Sequence, residues 1–252
     1  MSVDVFTPKG WPRSVRIVQT DRRDGASEAP YDGLNLGAHV GDAQASVREN
    51  RAALCAEIPR VDVAWLAQEH GTQVVIARRE ADTPPIADAC WTREAALACA
   101  VLTADCLPVL FADRDGTRVA AAHAGWRGLA AGILEAAVQA MGTPPSQLLA
   151  WLGPSIGPEA FEVGPEVREH FLATRPNAVN LADFSACFTA RKSSDRYLAD
   201  LPRLARLRLE ALGVSAVDGA RVCTFENAES FFSYRRDGRT GRMASLIFRL
   251  DA

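Results

Sequence analysis

The sequence predicts an α+β fold, and three observations carry that prediction. Short apolar runs bounded by turn-forming residues recur in strand-like lengths, three longer stretches place apolar residues at helical spacing, and the two kinds do not alternate as a doubly wound sheet would require. Residues 15–19 form the first expected strand. Val47, Arg51, Leu54, Cys55 and Ile58 follow helical spacing after Asp42, which reads as a helix start. Strands are then expected at 74–77, 99–103, 107–111 and 118–123, a helix over 129–141 after Gly125 and Gly128, and a strand at 148–152. A helix over 198–212 and strands at 221–224 and 244–249 complete the order. The segment Phe231-Phe232-Ser233-Tyr234-Arg235-Arg236-Asp237 alternates apolar and polar residues before Gly238 and reads as a short strand opening into a loop.

Composition bounds the function classes. With 252 residues, 48% of them hydrophobic, and a net charge of −3, the chain is expected to bury a large core as a single domain over residues 1–252. No apolar stretch is long enough to cross a bilayer, and Asp4, Pro8 and Lys9 stand where a signal peptide would need a basic start and an apolar run, so a cytoplasmic protein is expected. Six cysteines without tight pairing motifs fit reduced thiols. The mild charge argues against a nucleic-acid surface. Arg203, Arg206 and Arg208 are expected on a solvated helix face. Neither a Gly-x-Gly-x-x-Gly nor a Gly-x-x-x-x-Gly-Lys motif is present, so any nucleotide-like ligand must be held by another geometry.

Three separated segments carry soft or borderline ligands: Gln68-Glu69-His70-Gly71, Ala104-Asp105-Cys106-Leu107-Pro108 and Ala122-His123-Ala124-Gly125-Trp126-Arg127-Gly128. Each candidate sits at the end of an apolar run, where functional side chains are commonly displayed on loops. Between two expected strands, Thr103-Ala104-Asp105 should make a tight link or bulge that re-aims the Cys106 thiol. Two imidazoles and a thiolate suffice for a zinc ion with one position left open for catalysis. A lone buried cysteine is more often a small hydrophobe, so Cys106 draws its weight from the company of His70 and His123. The chain has four histidines, and His170 lies in a charged helical stretch.

Together with Leu34-Asn35-Leu36-Gly37-Ala38-His39-Val40-Gly41-Asp42, Glu49-Asn50-Arg51 and Gly153-Pro154-Ser155-Ile156-Gly157-Pro158, these motifs resemble the YfiH-like, laccase-domain family over residues 33–248. The stretch Thr20-Asp21-Arg22-Arg23-Asp24-Gly25-Ala26-Ser27 departs from the Thr-Arg-x-Gly-Gly-x-Ser pattern usual there. The resemblance implies stacked mixed β-sheets flanked by helices in a four-layer sandwich, and zinc at His70, Cys106 and His123. It also implies phosphorolysis of purine nucleosides (adenosine, inosine, guanosine, methylthioadenosine), with adenosine deamination as a companion activity.

Phosphate needs an anion site, and the planar fork of arginine suits it. Arg51 is the first candidate; Arg127, Arg235 and Arg236 are others, with Arg235 expected to help close the nucleoside pocket. Glu69 is a possible proton carrier for deamination. A metal-free rival uses Cys106 as nucleophile and His123 as base with an orienting third group, as in an acyl hydrolase or a cell-wall precursor editing enzyme. Copper is the other rival, since two histidines, a cysteine and a weak axial group can build a blue-copper centre. A multicopper oxidase needs many more imidazoles than His39 and His170 supply. A purely structural zinc would need a fourth ligand, for which Cys90, Cys99 and His39 are the candidates.

Overall fold

The computed structural model describes residues 3–79, 83–192 and 194–251. In chain order the elements are β1 (Val3–Phe6), β2 (Val15–Thr20), α1 (Gln44–Glu57), β3 (Asp62–Ala64), β4 (Val74–Ile76), β5 (Ala89–Thr92), β6 (Leu97–Thr103), β7 (Leu107–Asp113) and β8 (Val119–Ala124). They continue with α2 (Trp126–Ala131), α3 (Ile133–Met141), β9 (Leu148–Leu152), β10 (Glu162–Val163), α4 (Pro165–Ala173), α5 (Leu181–Ser185), β11 (Phe188–Ala190) and β12 (Tyr197–Ala199). Last come α6 (Leu201–Ala211), β13 (Ala216–Gly219), α7 (Tyr234–Asp237) and β14 (Met243–Arg249).

Two mixed sheets are stacked, one in the order β1-β2-β14-β6-β3 and the other β13-β9-β7-β8-β5-β4, with a small third sheet β10-β12-β11 beside them. The strands β6, β7, β8 and β9 read as nearly unbroken apolar runs because both faces are covered. The two-residue period is visible in β6: Leu97, Cys99 and Val101 face the second sheet, while Ala98, Ala100 and Leu102 join Leu54 and Ile58 of the α1 side. In β7, Leu110 and Ala112 turn toward the first sheet, and Leu107, Val109 and Phe111 pack with Leu129, Ile133, Leu134 and Leu204 of the helices beyond. The layers are therefore helix, sheet, sheet, helices, as the resemblance implied. Among the described residues no helix is long and apolar enough to cross a membrane.

Several local expectations are corrected. The helix expected over 129–141 starts at Trp126 and is broken by Gly132, whose φ of +102° is a conformation that L side chains rarely adopt. Residues 198–212 open as strand β12; the helix begins at Leu201, where the Asp200 carboxylate caps the Arg203 amide and Pro202 occupies the first turn. No strand forms at 221–224, which holds only a bridge between Cys223 and Ser155; the edge strand is β13 instead. Residues 234–237 form a helical turn rather than a strand, since the Ser233 side chain accepts from the Arg236 amide and caps it. Asp42 does not cap α1; its carboxylate accepts from Ser27 and Asn35 and so ties the preceding loop. Arg208, expected in solvent, is 3% exposed and spends its fork on Glu135 and the Thr174 and Ala130 carbonyls.

Candidate active site

The chain crosses between the two large sheets at the places where the candidate ligands lie. His70 is on the connection from β3, in the first sheet, to β4, in the second; Cys106 is on the connection from β6 to β7; and His123 lies within β8. Gln68 holds the first crossing by a two-way clamp, its amide donating to the Leu102 carbonyl and accepting from the Leu102 amide at 2.9 and 2.7 Å. The residue before Cys106, Asp105, adopts a φ of +85°, so the link between β6 and β7 is the sharp turn expected there. Its buried carboxylate accepts from Thr224 Oγ1, Ser233 Oγ and the Arg235 amide, tying the Cys106 turn to α7.

The ligand atoms of His70, Cys106 and His123 lie within 4.8 Å of one another, and no other such group occurs among the described residues. Cys106 Sγ is 3.7 Å from His70 Nε2. A tetrahedral zinc with bonds of about 2.3 Å to sulfur and about 2.0 Å to nitrogen separates such ligands by about 3.5 Å, so the donor set fits that ion. Cys90 and Cys99 are buried in the layer between the sheets and His39, though it lines the cleft, is outside the ligand group. Three ligands leave a coordination position open.

Both histidines are set by one acid that the sequence reading missed. Asp88, 1% exposed, accepts His123 Nδ1 at 2.8 Å and the backbone amides of His70 and Gly71 at 2.9 and 2.7 Å, which holds His70 at a φ of +61°. Donation from Nδ1 leaves Nε2 of His123 as the metal-facing nitrogen. Burial would raise the Asp88 carboxyl, but the His123 bond and the backbone amides outweigh it and hold it below its ordinary range. Without metal, burial of Cys106 is outweighed by the charge of and hydrogen bonds from His123 and His70, which bring the thiol down to about 6. Against its own burial, the Cys106 and Asp88 charges and bonds lift His123 to about 9.

Glycine explains the remaining motif letters. A Cβ at Gly125 would lie 2.7 Å from His70 Cδ2 and 3.1 Å from Cys106 Sγ, and one at Gly128 would lie 2.8 Å from the Gly71 carbonyl oxygen. Only hydrogen leaves room for these approaches.

The group opens into a cleft of about 440 Å³. Trp126, Phe161 and Tyr234 give it an aromatic lining, with the Arg127 and Arg235 guanidinium groups 4.4 and 5.4 Å from the Trp126 and Phe161 ring centroids. His39, Thr103 and Arg242 line it as well. Arg235 lines the cleft as expected, though its fork also donates to the Glu162 carbonyl at 2.8 Å. Arg51 does not line it: Nε and Nη2 both donate to the Leu36 carbonyl, and the guanidinium stacks 4.1 Å from the Trp65 ring centroid. Its neighbour Asn50 is equally absorbed, bonding Ala26, Ser27, Gly33 and Asn35. Arg236 binds the Thr224, Phe225 and Phe231 carbonyls, and Glu69 is exposed outside the cleft.

Comparison with known proteins places this architecture. The model of the family described as multi-copper polyphenol oxidoreductase laccase matches residues 16–250. The chain is 51% identical over 242 residues to a purine nucleoside phosphorylase of Pseudomonas aeruginosa, covering 95% of this chain and 96% of that one. It is 50% identical over 239 residues to the purine nucleoside phosphorylase YfiH of Escherichia coli, covering 94% and 95%. Among solved structures, a Neisseria meningitidis protein superposes with a TM-score of 0.92 at 45% identity over the whole of both chains. YlmD of Geobacillus stearothermophilus superposes at 0.86 and 32% identity, covering 95% of this chain and 93% of that one. The protein belongs to this laccase-domain family, the family of the YfiH-type purine nucleoside phosphorylases.

Proposed function

We propose that the protein is a zinc-dependent purine nucleoside phosphorylase, transferring the ribosyl group of a purine nucleoside from the base to phosphate. The observation that carries this reading is one cleft lined by aromatic rings, a three-ligand centre and arginines, in a chain half identical to proteins of that name. A flat base fits against Trp126 and Phe161, where stacking is indifferent to ring substituents. Arg127 and Arg235 lie over these rings and bring positive charge to the slot. Zinc held by His70, Cys106 and His123 would supply a Lewis acid at the cleft floor. Copper fits the same three ligands less well as a functional reading, because oxidase chemistry would need a second cluster and the described residues contain a single group.

Adenosine deamination, implied as a companion, calls for a proton-carrying carboxylate. Glu69 is exposed outside the cleft, and the one carboxylate lining it, Asp105, already accepts three hydrogen bonds. Phosphorolysis makes no such demand and is the activity this cleft supports best. The metal-free hydrolase is the second reading, favoured by one observation: Asp88, His123 and Cys106 supply an orienter, a base and a nucleophile in sequence.

The test incubates zinc-loaded protein with adenosine, inosine and methylthioadenosine, with and without phosphate, and separates the products by chromatography. Free base together with ribose 1-phosphate, formed only when phosphate is present, is expected. Cys106→Ser should lower zinc content and turnover together. Base release that ignores phosphate would overturn the phosphorylase reading, and full activity after complete metal removal would favour the hydrolase.

A further inference from the structure

Arg242 and Thr103 line the cleft, and each keeps polar atoms that no described group claims. Arg242 is partly buried, and no carboxylate pairs with it among the described residues. One of its terminal nitrogens donates to the Thr240 and Gly241 carbonyls, while Nε and the other nitrogen have no partner among them. The negative groups nearest it, Cys106 and Asp105, form no ion pair with it, so the unspent donors of this shielded cation are left for a ligand. Beside it Thr103, 2% exposed and lining the same cleft, has a hydroxyl with no hydrogen-bond partner among the described residues. Thr103 stands directly across from Met243 in the β6–β14 pairing, which places it one residue from Arg242 along the neighbouring strand.

The third group is held in place by the loop it rides on. Asn35 Oδ1 accepts the Gly37 and Arg242 amides, both at 2.9 Å, and the Leu36 amide donates to the Arg242 carbonyl, so the loop carrying His39 and the start of β14 move as one piece. Gly37 lies so close to the Arg242 side chain that a Cβ there would approach Cγ to 2.8 Å. The Asn35-Leu36-Gly37-Ala38-His39 motif is thus a brace for His39 and Arg242.

We infer that Thr103, Arg242 and His39 form the oxyanion subsite of the cleft and hold the phosphate that attacks the nucleoside. This rests on the phosphorylase reading and gives its cleft a direction: base on Trp126 and Phe161, ribose over the three-ligand centre, phosphate at Arg242. Arg235 and Arg127 belong to the base end. The reacting oxygen of hydrogen phosphate forms its bond to the ribose C1′ as the bond from C1′ to the purine nitrogen breaks; the electron pair stays on that nitrogen, which takes up the proton that the phosphate gives up. Arg242 offers a charged fork, while the Thr103 hydroxyl donates to one phosphate oxygen.

Thr103→Val keeps the shape and removes the hydroxyl; Arg242→Gln removes the charge. Inorganic phosphate is titrated calorimetrically into zinc-loaded wild type and each variant, with zinc content and Tm measured alongside. Each variant is expected to bind phosphate roughly ten- to a hundredfold more weakly, the range for a lost hydrogen bond to a charged group. Zinc content should stay at wild-type level. Because the hydroxyl is unpaired before phosphate arrives, Thr103→Val should hold or raise Tm, which a structural threonine would not do. Wild-type phosphate affinity in either variant, or Thr103→Val losing zinc and Tm together, would overturn the assignment. Phosphate binding lost as expected in a protein that cleaves no purine nucleoside would sink the phosphorylase reading and leave the subsite standing. Phosphorolysis with unchanged phosphate affinity in both variants would do the reverse.

Discussion

Gly125→Ala isolates the metal centre from the fold. The residue sits at φ −61° and ψ 156°, open to any amino acid, so the backbone raises no objection. Alanine restricts the unfolded chain and would by itself stabilise by roughly 0.4–1 kcal/mol. The added carbon, however, lies 2.7 Å from His70 Cδ2, and the imidazole must retreat by about 0.7 Å to reach an ordinary contact of 3.4 Å. Metal–ligand distances tolerate only about 0.2 Å. Asp88 pins the His70 backbone amide, so the loop cannot carry the ring away without breaking that bond. Disturbing an outer partner of a ligand costs ten- to a hundredfold in metal affinity, so displacing the ligand itself should cost about a hundredfold or more, near 2.7 kcal/mol. The assay is competition for zinc against a chelator of known affinity, with thermal melts of the metal-free proteins in parallel. Expected are a large affinity loss and a metal-free Tm at or above wild type. Zinc affinity within a factor of about three of wild type would refute the reasoning, since a displaced ligand cannot cost less than a disturbed outer partner.

Arg51→Ala should act on stability alone. Losing two donors to the Leu36 carbonyl and the stack on Trp65 should cost about 2 kcal/mol, and with it roughly 4 to 8 °C of Tm. Phosphate affinity per folded molecule should be unchanged, and a specific rise in the phosphate requirement would return Arg51 to the substrate. In metal-free protein, the alkylation rate of Cys106, corrected with Cys106→Ser, should climb through a midpoint near pH 6 rather than near 9. The sign follows from the two shifts. The depressed thiol gives stability that is complete above about pH 9 and lost as pH falls through about 6, while the raised His123 gives stability that is complete below about 6.5 and lost as pH rises through about 9; between these values the two slopes oppose and cancel, so the metal-free Tm should be nearly flat there. A Tm that climbs or falls steeply across that range would mean that only one of the two groups is shifted and would count against the ion pair.

Legibility in the sequence followed burial. The long strands β6, β7, β8 and β9 were readable because both faces are covered and the runs are apolar throughout. The short strands β10, β11 and β12 were not, for they are only two or three residues long with mixed exposure. The break at Gly132 was hidden because the apolar spacing continues through it from Leu129 to Ile133 and Met141. At the site, ligands at the ends of apolar runs were visible as residue types out of place. Asp88 carried a similar signal, an acid between Ala87 and Ala89, and was overlooked. Arg242 and Thr103 carried none, since an arginine before a strand and a threonine at the end of one are ordinary until the fold brings both to one cleft. Arg51 was misjudged because sequence shows what a guanidinium can bind, while the Leu36 carbonyl that claims it is a matter of packing.

Two of the three ligands ride on the very segments that carry the chain from one sheet to the other, and the third is fixed in the second sheet. The ion would therefore act as a rivet through two plates, sensitive to shear. A core substitution far from the cleft, at Ile17 or Leu110 in the layer between the sheets, need not unfold the protein to silence it. A slip of a few tenths of an ångström would leave the circular dichroism spectrum untouched and still open the coordination polyhedron. Zinc affinity should thus report alignment of the two plates more finely than any melting curve, and a mutational scan read by metal retention would trace the seam between them.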